Sequence, residues 1–505
     1  MRRRDFLRRG TTTGAAFFSL PGLASLPLVG AEDADVSKGF VQFRPEIEPL
    51  VRTIEETSRD KLLEVMASKI RAGLSYREVV AALFLAGIRN VEPRPHVGFQ
   101  FHTVLVVNSA HVASMSSPAG ERWLPIFWAL DHFKGAQARD QKERGWTMPK
   151  VKEFLVPSSH EAAKKFAESM DAWDEYGADA SAAALARSSG ANAIFEQLWR
   201  YGMRDFRSIG HKAIYVANAW RTLQLIGWRH LEPVARSLAY ALLNHEGEDN
   251  PAKSDHAADR PWRRNLKLAE TLRADWASGE PDDGATRELL VVLREGSDDD
   301  ASKKVVEILG KGVSPQSIWD ALFAAAGEQV LRQPGIVPLH SSTTMNALHF
   351  AYSTTSNDNT RRMVLLQAAA FLTLFRGAAT RRGKVSEAKV DQFEAAALAS
   401  KEAGERVGEV FVERSKNRNL AIAKALTVLE SGESPKALID EARRLVFLKG
   451  RDAHDYKFSS AVLEDYFHVS PAWRNRYLAA SVSLLRGAGE RDNGVVARTR
   501  AALES

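Results

Sequence analysis

The 505-residue chain contains no cysteine. Disulfides, covalently attached c-type haem and cysteine-ligated iron–sulfur clusters are therefore excluded, and any metal must be held by His, Asp or Glu. Alternating β-branched runs of the kind that mark strands are scarce. There is no Gly-rich phosphate cradle, no Gly-x-Ser-x-Gly elbow and no kinase-type motif set. HExxH, HxH and the Glu-x-x-His pair of di-iron bundles are also missing. The formal net charge is +6, of which residues 1–31, with five Arg and one Asp, supply +4. The remaining chain is close to balanced, so no nucleic-acid partner is expected.

That basic start leads into an apolar stretch from Ala15 to Val29 and then small residues, Val29-Gly30-Ala31. Charged start, short apolar middle and small-residue exit make an export leader over 1–31. Arg3-Arg4-Asp5-Phe6-Leu7-Arg8 resembles a twin-arginine signal, with Arg2 where Ser or Thr is common. The resemblance implies export of the folded protein by the twin-arginine translocase to a periplasmic or other extracytoplasmic location. Pro21, Gly22 and Pro27 interrupt the apolar run, so no transmembrane anchor is expected after cleavage.

The rest reads as amphipathic helices, and the expected class is all-α. A punctuation recurs: Gly73-Leu74-Ser75, Gly190-Ala191-Asn192, Gly312-Val313-Ser314 and Gly432-Glu433-Ser434, at intervals of 117, 122 and 120 residues. Gly accepts the left-handed backbone just past a helix end, and the polar third residue caps the next helix. A histidine comes after each: His102, His211, His340 and His454, at 29, 21, 28 and 22 residues from the glycine. The alternation of long and short gaps points to a block of two units written twice. The expectation is a helical-repeat array of four units of about 120 residues in two pseudo-twofold halves, 32–297 and 298–505, packed as one body. The acidic Gly296–Lys304 stretch is the expected join.

The long-gap units carry His, Asn and His at matched spacing: His102, Asn108 and His111, then His340, Asn346 and His349. Asn and His three apart share a helix face, whereas His102 lies nine before His111, about 180° away. Either the leading histidine sits in the first turn or it serves a different site. The short-gap units have Asn218 and Arg221 after His211, and Ser460, Glu464 and Asp465 after His454. Three readings stand for these residues. They pack between repeats through backbone hydrogen bonds. They line one central pocket as proton-transfer or binding groups, with His102, His211, His340 and His454 catalytic and Asn108, His111, Asn346, His349, Asn218 and Arg221 binding. Or they ligate a metal, with His102, His340 or His349 joined by a carboxylate. No motif specifies a metal, so no metal ligand is assigned, and the cofactor is left open.

"LHSSTTMNALHFAY" (Leu339–Tyr352) and "AHDYKFSSAVLEDY" (Ala453–Tyr466) resemble motif helices of the questin oxidase-like proteins. That resemblance implies an all-helical fold with an apolar pocket and an oxidative, ring-opening type of activity. The resulting expectation is an exported oxidoreductase acting on a small apolar or aromatic compound. The alternative is a non-catalytic helical scaffold binding a ligand or an envelope protein.

Overall fold

The chain's punctuation becomes helix ends. Gly73, Gly312 and Gly432 take positive φ of 103°, 82° and 78°, and the serine after each caps the next helix. Ser75 accepts from Glu78 N in a full capping box, Ser314 from Gln316 N and Ser434 from Lys436 N. The second unit departs from this pattern. Its helix Glu175–Ser188 ends in extended backbone at Ser189, and Gly190 itself is the N-cap, so Asn192 lies inside the next helix and caps nothing.

The computed structural model describes residues 39–93, 99–243, 250–432 and 434–504. The leader and Asn244-His245-Glu246 lie outside these residues. Residues 40–505 form one unit, and among the described residues its regular elements are helices, with no strands beyond two isolated bridges. In chain order the principal helices group into four sets of five, with Arg260–Glu270 between the second and third sets and Gly494–Glu504 after the fourth. The first set is Glu48–Glu56, Leu62–Arg71, Tyr76–Asn90, Val107–Met115 (led by a short His102–Leu105 turn) and Leu124–Glu143. The second is Ala162–Ala172, Glu175–Ser188, Ala191–Gly202, His211–Ile226 and Leu231–Leu242. The third is Asp283–Glu295, Asp298–Gly310, Pro315–Arg332, Ile336–Thr354 and Asp358–Thr380. The fourth is Ala403–Arg414, Arg418–Glu430, Pro435–Lys449, Ala453–Asp465 and Arg474–Ser481. The fourth member of each set carries the histidine.

These four histidine helices form a closed ring. His102–Met115 packs on His211–Ile226, which packs on Ile336–Thr354, which packs on Ala453–Asp465, which returns to the first. Their apolar and small residues, such as Ala213, Ala217, Met345, Ala347 and Val462, are buried and let the backbones approach. The final helix, Gly494–Glu504, returns to the first unit, where Arg498 pairs with Glu64 at 2.8 Å and Arg71 donates to the Ala502 carbonyl at 2.7 Å. The array is thus shut rather than open-ended. Asp358–Thr380 is the one described helix long and apolar enough to cross a membrane, and it is largely buried by its neighbours. At the expected join, Ser297 and Asp300 form a capping box that starts Asp298–Gly310, so the acidic stretch is a helix start rather than a linker.

Candidate functional site

Each histidine helix opens beside its histidine. His102 and His211 are first residues of their helices, His454 is the second of Ala453–Asp465, and His340 is the fifth of Ile336–Thr354. Ring closure brings these openings together. The His102 and His454 ring centres are 4.5 Å apart, His211 and His340 4.3 Å, His340 and His454 5.2 Å, and His102 and His211 5.0 Å. His102, His211 and His340 are each at most 7% exposed. They form one wall of a cavity of about 520 Å³, whose lining also includes Ile209, Ile336, Arg139, Arg207, Arg382 and Asp452. That volume suits a small organic ligand.

The hydrogen bonds fix the tautomers. His211 Nδ1 lies 2.8 Å from the Ser208 carbonyl, and His340 Nδ1 2.6 Å from the Ile336 carbonyl. A carbonyl only accepts, so each Nδ1 carries the proton and each Nε2 presents a lone pair. His454 Nδ1 faces Asp452 Oδ1 at 3.3 Å, to the same effect. His102 Nε2 is 2.9 Å from His211 Nε2; since the latter carries the lone pair, His102 donates. His340 Nε2 and His454 Nε2 are buried with no partner. Burial holds His102 and His340 well below the usual imidazole pKa, reinforced by the charges of Lys457 and the neighbouring rings, so both are neutral.

One turn after His454 lies Lys457, 2% exposed. Its Nζ has no hydrogen-bond partner, and burial, partly offset by the Asp452 charge, lowers its pKa to about 7. Nitrogen bases with inward lone pairs therefore meet where little can donate to them. An electron-poor partner is what such a set fits. A metal is the obvious one, because Nδ1 tethered to a carbonyl or carboxylate with Nε2 free is the usual support of a ligating imidazole. Ligand nitrogens of His102, His340 and His454 all lie within 4.8 Å of one another. Three nitrogens around one ion at about 2.1 Å each lie about 3.4–3.6 Å apart in tetrahedral or trigonal geometry, so the set would have to close by about an ångström to hold one. Of the histidines named as possible metal ligands, His102 and His340 belong to this set and His349 does not.

The other singled-out residues go elsewhere, because each lies one or more turns further along its helix. Asn218 Nδ2 donates to the Leu105 carbonyl at 2.9 Å, a bond between units. Arg221 meets Asn346 Oδ1 at 3.0 Å and Glu464 at 2.9 Å, while Asn346 Nδ2 donates to Asp465 Oδ1 at 2.7 Å. Asp465 is fully buried, and burial beside Glu464 pushes its carboxyl well above the usual range. His349 lies among the rings of Trp319, Phe323 and His468, edge-on to Trp319. His111 Nδ1 is 3.0 Å from the Tyr76 hydroxyl, and Asn108 is buried. None of the six lines the histidine cavity. Asp131 pairs with Arg59 at 2.6 Å, and His132 stacks on Trp128. A larger groove, about 900 Å³, is lined by Met115, Pro118, Lys436 and Arg443 among others, and it gathers no imidazole.

Lys457, Asp452 and the three arginines are not singled out by the sequence reading. The i, i+3 spacing of His454 and Lys457 on a largely apolar helix is the signal that could have found the lysine. No known family model, curated protein or solved structure matches the chain.

Proposed function

We propose that the protein is a metal-dependent oxidoreductase acting on a small aromatic or apolar molecule in the histidine cavity, with His102, His340 and His454 holding one divalent ion. The observation that carries this reading is the pair of buried, partnerless Nε2 atoms of His340 and His454, each with its Nδ1 tethered to oxygen. An all-imidazole donor set suits zinc, copper, iron and nickel rather than magnesium or calcium. Because neutral imidazoles cancel none of the ion's charge, it would polarise or exchange electrons with a ligand entering from the cavity. His102 has a further part, since it must move its proton from Nε2 to Nδ1 to become a ligand. The resemblance to questin oxidase-like motif helices favours oxidation over hydrolysis. A twin-arginine leader agrees with this reading, because that route carries folded proteins with their cofactors already inserted.

Metal analysis tests the reading. Protein purified from a host that recognises its leader, then offered Fe²⁺, Cu²⁺ and Zn²⁺ separately, should retain about one ion per chain after dialysis. His340→Ala and His454→Ala should lose it, while His349→Ala keeps it. Absence of stoichiometric metal in all three loadings would sink the reading.

A further inference from the structure

The cavity's charges have a consequence for what it holds. Three arginines line it. Arg207 is neutralised by buried Asp259, with contacts of 2.6–3.2 Å. The lining carboxylate, Asp452, is engaged by His454. Arg139, on Leu124–Glu143, and Arg382, just after Asp358–Thr380, are exposed, and no ion pair or hydrogen bond engages either guanidinium among the described residues. Two guanidiniums from different units therefore line one cavity with no ion pair of their own among the described residues, against the single carboxylate of Asp452 in the same lining. The helices His211–Ile226 and Ile336–Thr354 also open there with no side-chain cap on their N-termini, and the buried, unpartnered Nε2 of His340 stands in the same wall. The helix dipoles add positive potential there. Ile209 and Ile336 supply apolar surface in the same lining.

We infer that the ligand of this cavity is a small organic anion, an aromatic or apolar body bearing one carboxylate-type group, held by Arg139 and Arg382 at the mouth while its body reaches the histidines. The inference rests on the proposed function only for the identity of the site as catalytic. Guanidinium suits the task because its planar fork meets a carboxylate bidentately. An uncharged substrate would leave both arginines nothing to do in the cavity.

The test compares 2-naphthoate with its uncharged analogue 2-naphthamide by calorimetric titration of the protein as purified, with metal content measured on the same samples. Wild type should bind naphthoate at least about tenfold more tightly, as expected for a charge-assisted hydrogen bond. Arg139→Gln/Arg382→Gln should abolish the preference at unchanged metal content, and Arg139→Lys/Arg382→Lys should restore part of it. Circular dichroism melts establish that each variant is folded, and the single Gln variants substitute if the double one is not. Equal binding of the two probes, no binding of naphthoate, or a preference that survives the Gln variants overturns the inference. Metal-free protein that keeps the preference would instead remove the metal reading and leave this one standing.

Discussion

His102 Nε2 lies 2.9 Å from His211 Nε2 across 109 residues of chain. With Ser208 taking the proton on the other side of His211, the contact is a donor–acceptor pair that a cation would replace. It joins the first two units just where the other two present bare nitrogens, so the ring of helices and the chemistry are one feature.

Asp452 tests how that feature is supported. Its Oδ1 faces His454 Nδ1 at 3.3 Å and also accepts from His454 N at 2.7 Å, as the helix N-cap. Burial raises its pKa, but hydrogen bonding and attraction from His454 outweigh this and bring it to about 2. Asn caps as well as Asp, so Asp452→Asn removes the charge and spares the helix. Metal affinity, read by competition with a chromophoric chelator, is expected to fall about 10–100-fold with little change in thermal stability. An unchanged affinity would separate Asp452 from the site.

The turn before His211 stores strain. Ile209, a β-branched residue, has φ of 42° and Gly210 has φ of 81°. A Cβ on Gly210 would overlap Thr344 Oγ1. This turn sets the Ser208 carbonyl against His211. Left-handed backbone costs Ile on the order of 1–2 kcal/mol, and Gly nothing. Ile209→Gly should therefore be more stable than Ile209→Ala by about 1 kcal/mol in denaturant unfolding, the reverse of the usual order. Gly less stable than Ala would show the turn unstrained.

Much of this architecture is legible in the chain. Helical class follows from amphipathic stripes and Gly–Ser punctuation, both local. The alternating long and short gaps from glycine to histidine are local too. Their meeting is not, because it depends on the ring closing between Ala453–Asp465 and His102–Met115. Lys457 is invisible for another reason: within "HDYKFSS" a lysine reads as surface charge until burial is known. Likewise Ser254–Asn265 reads as a polar loop, yet Arg260–Glu270 is helical with Pro261 in its first turn and Trp262 buried. Asn218 follows the packing reading by bonding the Leu105 carbonyl, while Asn346 joins the Arg221–Glu464–Asp465 cluster away from the cavity.

Lys457 carries a thermodynamic signature. Its pKa falls from 10.5 to about 7. Between those values the unfolded chain binds a proton that the folded one refuses, so stability rises with pH there and the full penalty is felt below pH 7. The drop corresponds to about 5 kcal/mol at most. Lys457→Met should stabilise the protein by about 2–4 kcal/mol at pH 6.5, with the gain shrinking towards pH 10. Urea unfolding at several pH values checks this, and a destabilised variant at pH 6.5 would mean that the amine is satisfied in solution.

His349 makes the corresponding case on the acid side, away from the cavity. Burial, with the neighbouring His468 and Arg221 charges, lowers its pKa to about 3. From pH 6.5 down to about 3 the unfolded state takes up a proton that the folded ring does not, so stability falls as pH falls. One such proton contributes about 1.4 kcal/mol per pH unit. Phe fits the aromatic surroundings of Trp319 and Phe323 and cannot titrate. His349→Phe should therefore flatten the dependence of unfolding free energy on pH between about 4 and 6 by that amount. The slope left over belongs to the other buried rings, His102 and His340 among them. An unchanged slope would mean that His349 titrates normally in the folded protein and that its aromatic pocket admits water.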